Sequence, residues 1–204
     1  FLDASRYACE GTVVIRVSDT DLNTDPGTAQ TVEVAIVSSS QPAGVPGLLT
    51  ESGPNTALFV GEIALSGASA PGSLLVADSD TITATYTDAD DGAGGTNISV
   101  TADAAIDCAS PGITNVSIIN VQTKQMTVTF DTNEPASGVI RYGLTCDTPT
   151  FETVEAGLKT SHSITLSGLS PDTFYFLSVE AKDDVGNKGT DNNNGACYGF
   201  ATLG

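Results

Sequence analysis

Four oxygen-bearing side chains stand on alternate residues of one short stretch: Asp19, Asp21, Asn23 and Asp25 in Asp-Thr-Asp-Leu-Asn-Thr-Asp. Oxygens at that spacing suit a hard cation, above all Ca²⁺, which takes about six to eight oxygen ligands. The stretch is not an EF-hand loop. Thr24 occupies the sixth position, where glycine is needed, and Gln30 the twelfth, where a bidentate glutamate is needed. A cation site here would have to draw ligands from other loops. The candidates are Glu51, in Glu-Ser-Gly-Pro-Asn, and Asp88 and Asp90, in Asp-Ala-Asp-Asp. The competing expectation is that Asp and Asn simply favour turns, where their side chains bond nearby backbone.

Other reactive residues are few. His162 is the only histidine. It is expected to face outward between Ser161 and Ser163, and no shaped nucleophile turn or oxyanion hole accompanies it. Glu51 and Glu62 could be imagined as an acid–base pair, but no aromatic sugar platform surrounds them. No catalytic residue and no organic cofactor is expected, and the chain reads as a non-enzyme.

Strands must position the acidic loops, because no helical period occurs and Val, Ile and Thr dominate the apolar runs. Thr12–Ser18 alternates with Val13, Ile15 and Val17 on one side. Thr31–Ser38 does the same with Val32, Val34 and Ile36, and residues 57–65 offer Phe59, Ile63 and Leu65. In residues 81–87, Ile82, Ala84 and Tyr86 point inward and four threonines outward. Following strand direction through these elements brings residues 19–25, 51–55 and 88–91 to one pole. Cys9 and Cys108 fall at the opposite end.

Pro111-Gly112 marks a boundary, so two domains are expected, 1–109 and 110–204. In the second, Met126, Val128 and Phe130 point inward, residues 133–137 read as a turn, and residues 183–195 read as a polar loop. Ile164, Leu166, Tyr175, Leu177, Val179 and Ala181 complete its expected core. The fold class is all-β, two tandem antiparallel sandwiches.

The net charge is −18 and uneven. Residues 1–109 carry 15 acidic residues against Arg6 and Arg16, a net of −13. Such a domain repels itself unless cations neutralise it, and nucleic acid and anionic membrane are poor partners. The four cysteines, 9, 108, 146 and 197, have no C-x-x-C spacing. Wide spacing in a strand-rich chain points to disulfides and an oxidising, extracellular or cell-surface location. Three pairings are possible; Cys9–Cys108 with Cys146–Cys197, one per domain, is favoured. No apolar run approaches the ~20 residues of a membrane span. A chain opening at Phe1 without a signal peptide reads as a processed product or an excised piece of something longer.

Two resemblances add to this. Thr-Val-Thr-Phe130, Val139-Ile-Arg-Tyr-Gly143, Ser163-Ile-Thr-Leu-Ser-Gly-Leu-Ser-Pro171 and Thr173-Phe-Tyr-Phe-Leu-Ser-Val-Glu-Ala181 resemble a fibronectin type III domain. Phe130 stands where that family usually has Trp. The resemblance implies that Tyr175 is a tyrosine corner, its hydroxyl bonded to nearby backbone. The first half, with Val17-Ser-Asp-Thr-Asp-Leu-Asn23, Leu49-Thr-Glu-Ser-Gly-Pro-Asn55, Phe59-Val-Gly-Glu-Ile63 and Asp80-Thr-Ile-Thr-Ala-Thr-Tyr-Thr-Asp88, resembles immunoglobulin-like repeats of secreted bacterial proteins, especially subtilisin-like proteases. The resemblance implies a non-catalytic accessory or spacer region whose partners are neighbouring domains. The alternatives are an adhesin or substrate-binding module for protein or glycan, and a homo-oligomeric fibre subunit.

Overall fold

The computed structural model describes residues 1–204 and contains strands and turns with no helix. The chain divides into two compact units, Phe1–Cys108 and Ala109–Gly204.

Unit 1 contains β1 (Arg6–Ala8), β2 (Thr12–Ser18), β3 (Thr31–Ser38), β4 (Val45–Glu51), β5 (Leu58–Ser66), β6 (Ser73–Leu75), β7 (Thr81–Asp88) and β8 (Ile98–Asp107). Their order is β1-β8-β7-β3-β4-β5-β2, with β6 beside β5. The ladder curls over on itself, so that residues of β2 and β5 meet those of β3, β7 and β8 in one core. Val13, Ile36, Leu49, Phe59, Leu74 and Ile82 are fully buried there. Each such side chain contributes about 1.5–3 kcal/mol relative to exposure. Only two pairs, Thr50↔Val60 and Glu51↔Phe59, connect β4 to β5. The strands approach closely there. A Cβ on Gly61 would lie 2.6 Å from the Leu48 carbonyl oxygen.

Two strands of unit 1 differ from the sequence pattern. The first strand is split: Leu2 pairs with Ile15, and β1 then pairs in parallel with β8. Strand β4 begins at Val45, inside the Ser-, Pro- and Gly-rich residues 39–47. Pro46 is tolerated because at that level β4 pairs only with β3, and its missing N–H faces the open side.

Unit 2 contains β9 (Ile113–Ile119), β10 (Gln125–Gly143), β11 (Phe151–Val154), β12 (Lys159–Ser167), β13 (Phe174–Lys182), β14 (Lys188–Asp191) and β15 (Tyr198–Ala201). Residues 133–137 are not the expected turn. They lie within the 19-residue β10, which changes layers. Its first part pairs with β9 and β12, its second with β11 and β13. The register shifts between Asp131 and Ala136, and Pro135 sits inside that shift, where no ladder hydrogen bond is demanded of it. The expected polar loop 183–195 is likewise interrupted by β14, which pairs with β13. Met126, Val128, Phe130, Ile140, Leu166, Leu177 and Val179 fill the core. The Tyr175 hydroxyl accepts the Ser170 amide proton at 3.0 Å.

A charge ladder crosses four strands of unit 2. Glu152 meets Arg141 at 2.9 Å, Arg141 meets Glu180 at 3.0 Å, and Lys188 meets Glu180 at 2.8 Å. Burial alone would raise the Glu180 carboxyl, but Lys188 and Arg141 outweigh it and hold it below the usual range. A depressed carboxyl stabilises the fold above the ordinary glutamate value, and that stability is lost as pH falls through the folded value. Urea titrations of Glu180→Gln are expected to show lower stability at neutral pH and a shallower loss of stability in acid than the parent chain. In unit 1, Gly61→Ala is expected to cost about 1–3 kcal/mol by the same measurement, because the added methyl meets backbone.

Candidate functional site

The acidic loops of unit 1 do converge, through a smaller set than the spacing implied. Carboxylate oxygens of Asp19, Asp21 and Asp88 lie within 4.8 Å of one another. Asp19, at the end of β2, is 8% exposed. Its Oδ1 accepts the amides of Asp21 at 3.1 Å and Leu22 at 3.4 Å, and its Oδ2 accepts the Tyr86 hydroxyl. Its own amide donates to the Ala57 carbonyl at 3.0 Å, which ties this loop to the one after β4. Burial raises the Tyr86 phenol, and the bond to Asp19 adds to it. The Asp21 carboxyl is held above the usual range, by desolvation first and then by the charges of Asp19 and Asp88. Like charges packed this closely attract a cation.

The remaining expected ligands are engaged elsewhere. Asn23 donates its Nδ2 to Asn55 Oδ1 at 2.8 Å, while its own Oδ1 is buried without a hydrogen-bond partner. Asp25 Oδ1 accepts the Gly27 amide at 2.9 Å, and Asp90 Oδ1 accepts the Gly92 amide at 3.0 Å. Both bond nearby backbone, as does Asp88, whose Oδ1 accepts the Asp90 amide at 3.0 Å. Glu51 is 4% exposed and spends its oxygens on backbone. Oε1 accepts the amides of Thr56 at 2.7 Å and Ala57 at 2.8 Å, and Oε2 that of Gln30 at 3.3 Å. Burial would raise this carboxyl, but the three amides outweigh it and hold it low. Glu51 therefore organises the loops that the acidic trio stands on. Tyr86 is the member that sequence reasoning assigned only to the core. Its inward parity two residues before Asp88 was the available signal.

His162 does not face outward. It is 3% exposed and shares the inward parity of Ile164, two residues on. Its ring stacks on Phe130, centroids 4.3 Å apart and 7° from parallel. Nδ1 lies 2.7 Å from Glu155 Oε2, and Nε2 lies 3.3 Å from Thr132 Oγ1. Burial would raise the Glu155 carboxyl, but Lys159 and His162 hold it down. Both ring nitrogens are occupied and the side chain is out of solvent contact, so His162 is a satisfied core residue. Glu62 is exposed, whereas Glu51 is bound up in backbone contacts.

Each unit holds one disulfide, Cys9–Cys108 with Cα atoms 5.1 Å apart and Cys146–Cys197 at 5.7 Å. The role of Glu51 can be checked by amide hydrogen exchange on Glu51→Gln. Exchange at Gln30, Thr56 and Ala57 is expected to accelerate while the β13 core amides stay protected.

Comparison with known proteins bears on unit 2 most directly. Residues 110–193 match the family model of the fibronectin type III domain. Over the whole chain, the fold is similar to the crystal structure of the FN1–FN3 domains of chicken CNTN1, with a TM-score of 0.53 and 14% identity, covering 100% of this chain and 66% of that one. A two-domain fibronectin type III segment of chicken tenascin (TM-score 0.34, 16% identity, 94% of this chain and 95% of that one) also matches. So does a DUF4785 family protein of Legionella pneumophila (TM-score 0.33, 16% identity, 98% of this chain and 54% of that one). No curated protein matches the chain in sequence. The family match and the Tyr175 corner agree: over residues 110–193 unit 2 is similar to a fibronectin type III domain.

Proposed function

We propose that the chain is a non-catalytic, calcium-stabilised, disulfide-braced accessory region of a secreted multidomain protein. The observation that carries the calcium reading is the convergence of Asp19, Asp21 and Asp88 from two loops far apart in sequence. Three carboxylates offer up to six hard oxygens, and water would complete the shell of a Ca²⁺ ion. The unpartnered Asn23 Oδ1 in the same loop favours the same reading. An ion there would relieve repulsion within a strongly acidic unit and pin the first and third loops together. Its action is linkage: a cation that binds only the folded form stabilises it. The extracellular location is supported by the two disulfides. The association with a bacterial protease rests on the sequence resemblance of the first unit alone.

Thermal melting of the full chain in millimolar Ca²⁺ and in chelator tests this. Ca²⁺ is expected to raise Tm, and at a hundredfold excess over Kd the gain is about 2.7 kcal/mol. The double variant Asp21→Asn/Asp88→Asn leaves the Asp19 hydrogen bonds to backbone in place and is expected to lose that gain. Coincident curves for the parent chain in both conditions would reduce the acidic loops to solvated turns.

A further inference from the structure

Residues 192–197, which join β14 to β15, contain the only Asn-Gly pair of the chain, Asn194-Gly195. Both residues are exposed. Such a pair can modify itself. The carboxamide carbon of an asparagine and the next backbone nitrogen are spaced to close a five-membered ring, and glycine has no Cβ to shield that nitrogen. Ring closure makes two demands here. The Gly195 nitrogen must swing onto Asn194 Cγ, and it must give up its proton.

The folded turn opposes both. The Gly195 amide donates to the Asn192 carbonyl at 3.1 Å and to Asn192 Oδ1 at 2.9 Å. Asn193, Asn194 and Gly195 all lie in the left-handed region, with φ of 52°, 55° and 89°. The Ala196 amide donates to the Asn193 carbonyl at 3.1 Å and the Cys197 amide to the Asn192 carbonyl at 2.8 Å, which closes the turn. Consecutive left-handed residues are disfavoured for L-amino acids, although Asn is among the more tolerant. Such a turn persists where its surroundings fix it. At one end, Asp191 Oδ1 accepts the Asn193 amide at 2.9 Å, and Asp191 Oδ2 accepts the Tyr198 hydroxyl at 2.9 Å. At the other, Cys197, itself at φ 55°, is bridged to Cys146, whose Sγ lies 3.6 Å from the Gly195 carbonyl oxygen. The bridge ties the turn covalently to the loop between β10 and β11.

We propose that Asn194 is a self-modification site held shut by the Cys146–Cys197 bridge. The bridge is open before it has formed, or after two equivalents of a thiol have reduced it and been oxidised to a disulfide themselves. The left-handed turn then relaxes and the reaction runs. The Gly195 nitrogen bonds to Asn194 Cγ, the Cγ–Nδ2 bond breaks, and ammonia leaves with the proton of the Gly195 amide. Water opens the resulting succinimide at either carbonyl. Attack at Cγ leaves an ordinary aspartyl residue at position 194, and attack at the main-chain carbonyl leaves an isoaspartyl residue. One water is consumed, one ammonia is released, and nothing is oxidised or reduced in these steps. The product is a one-way mark of a chain that has spent time without its second bridge. It adds a negative charge near Asp191, and the isoaspartyl form lengthens the backbone by one atom, so the protecting turn is not rebuilt when the bridge closes.

The test follows residue 194 of the full chain during incubation in mildly alkaline buffer, by peptide mapping with mass spectrometry and by isoaspartyl methyltransferase labelling. A synthetic peptide of residues 188–196 gives the rate without the fold. The bridged chain is expected to react about tenfold or more slowly than that peptide, because a closed turn reacts only through its open fraction. Cys146→Ser/Cys197→Ser is expected to bring the rate close to the peptide's, with β13 amides still protected from exchange. Asn192→Ala keeps both bridges and removes one acceptor of the Gly195 amide, and its rate is expected to fall between the two. Asn194→Gln is expected to remove the labelling, and Cys9→Ser/Cys108→Ser to leave the rate at Asn194 unchanged. Reaction of the bridged parent at the peptide's rate would overturn the proposal. So would a Cys146→Ser/Cys197→Ser chain as slow as the parent, or equal acceleration on opening the other bridge. If loss of the second bridge unfolds unit 2, the Asn192→Ala chain decides: a rate equal to the parent's overturns the proposal and a faster one upholds it.

Discussion

One buried carboxylate closes the acidic end of unit 1. Strands β4 and β5 share only two residue pairs, so the ladder would be weakly joined where it folds over. Glu51 sits at that junction and accepts backbone amides from Gln30, Thr56 and Ala57. It thereby binds the start of β3, the end of β4 and the approach to β5 in one set of charge-assisted hydrogen bonds. The Ala57 carbonyl in turn receives the Asp19 amide, which places Asp19 beside Asp21 and Asp88. The geometry of the trio is therefore inherited from a residue that is not part of it. Gly61 belongs to the same junction, since a side chain there would push β5 off the β4 backbone.

Unit 2 meets the corresponding requirement with a continuous strand. β10 leaves one layer and enters the other with a register shift around Pro135, so its two halves build both faces of the core. The Tyr175 hydroxyl bonds the Ser170 amide, and the stack of Phe130 on His162 fills the interior of the first layer. The pairing of His162 with Glu155 and Thr132 satisfies a polar ring inside that core, which would otherwise be costly. The buried polar groups of both units serve closure of the sandwiches.

Strand positions and core faces were legible in the chain because alternation has a period of two and both units bury one face of most strands. Val13, Ile15, Val17, Phe59, Met126, Val128 and Leu177 are all buried as their parity requires. His162 shows the same rule working against its expected outward placement: it shares the parity of Ile164, and a polar residue type does not override that parity once partners are supplied. Residues 133–137 resembled a turn because Asn, Pro and Ser are turn formers. A change of layer within one strand needs the same residues, and composition does not separate the two.

By itself the sequence determined the all-β class, the core faces and the resemblance of the second half to fibronectin type III, because each depends on local period or motif. It also indicated that acidic loops would meet, because strand direction alternates. Tertiary structure alone decided which oxygens meet. Glu51 is spent on backbone, Asp25 and Asp90 on their own turns, and Tyr86 enters from β7. Side-chain hydrogen bonding is a relation between distant segments, and no spacing along the chain encodes it.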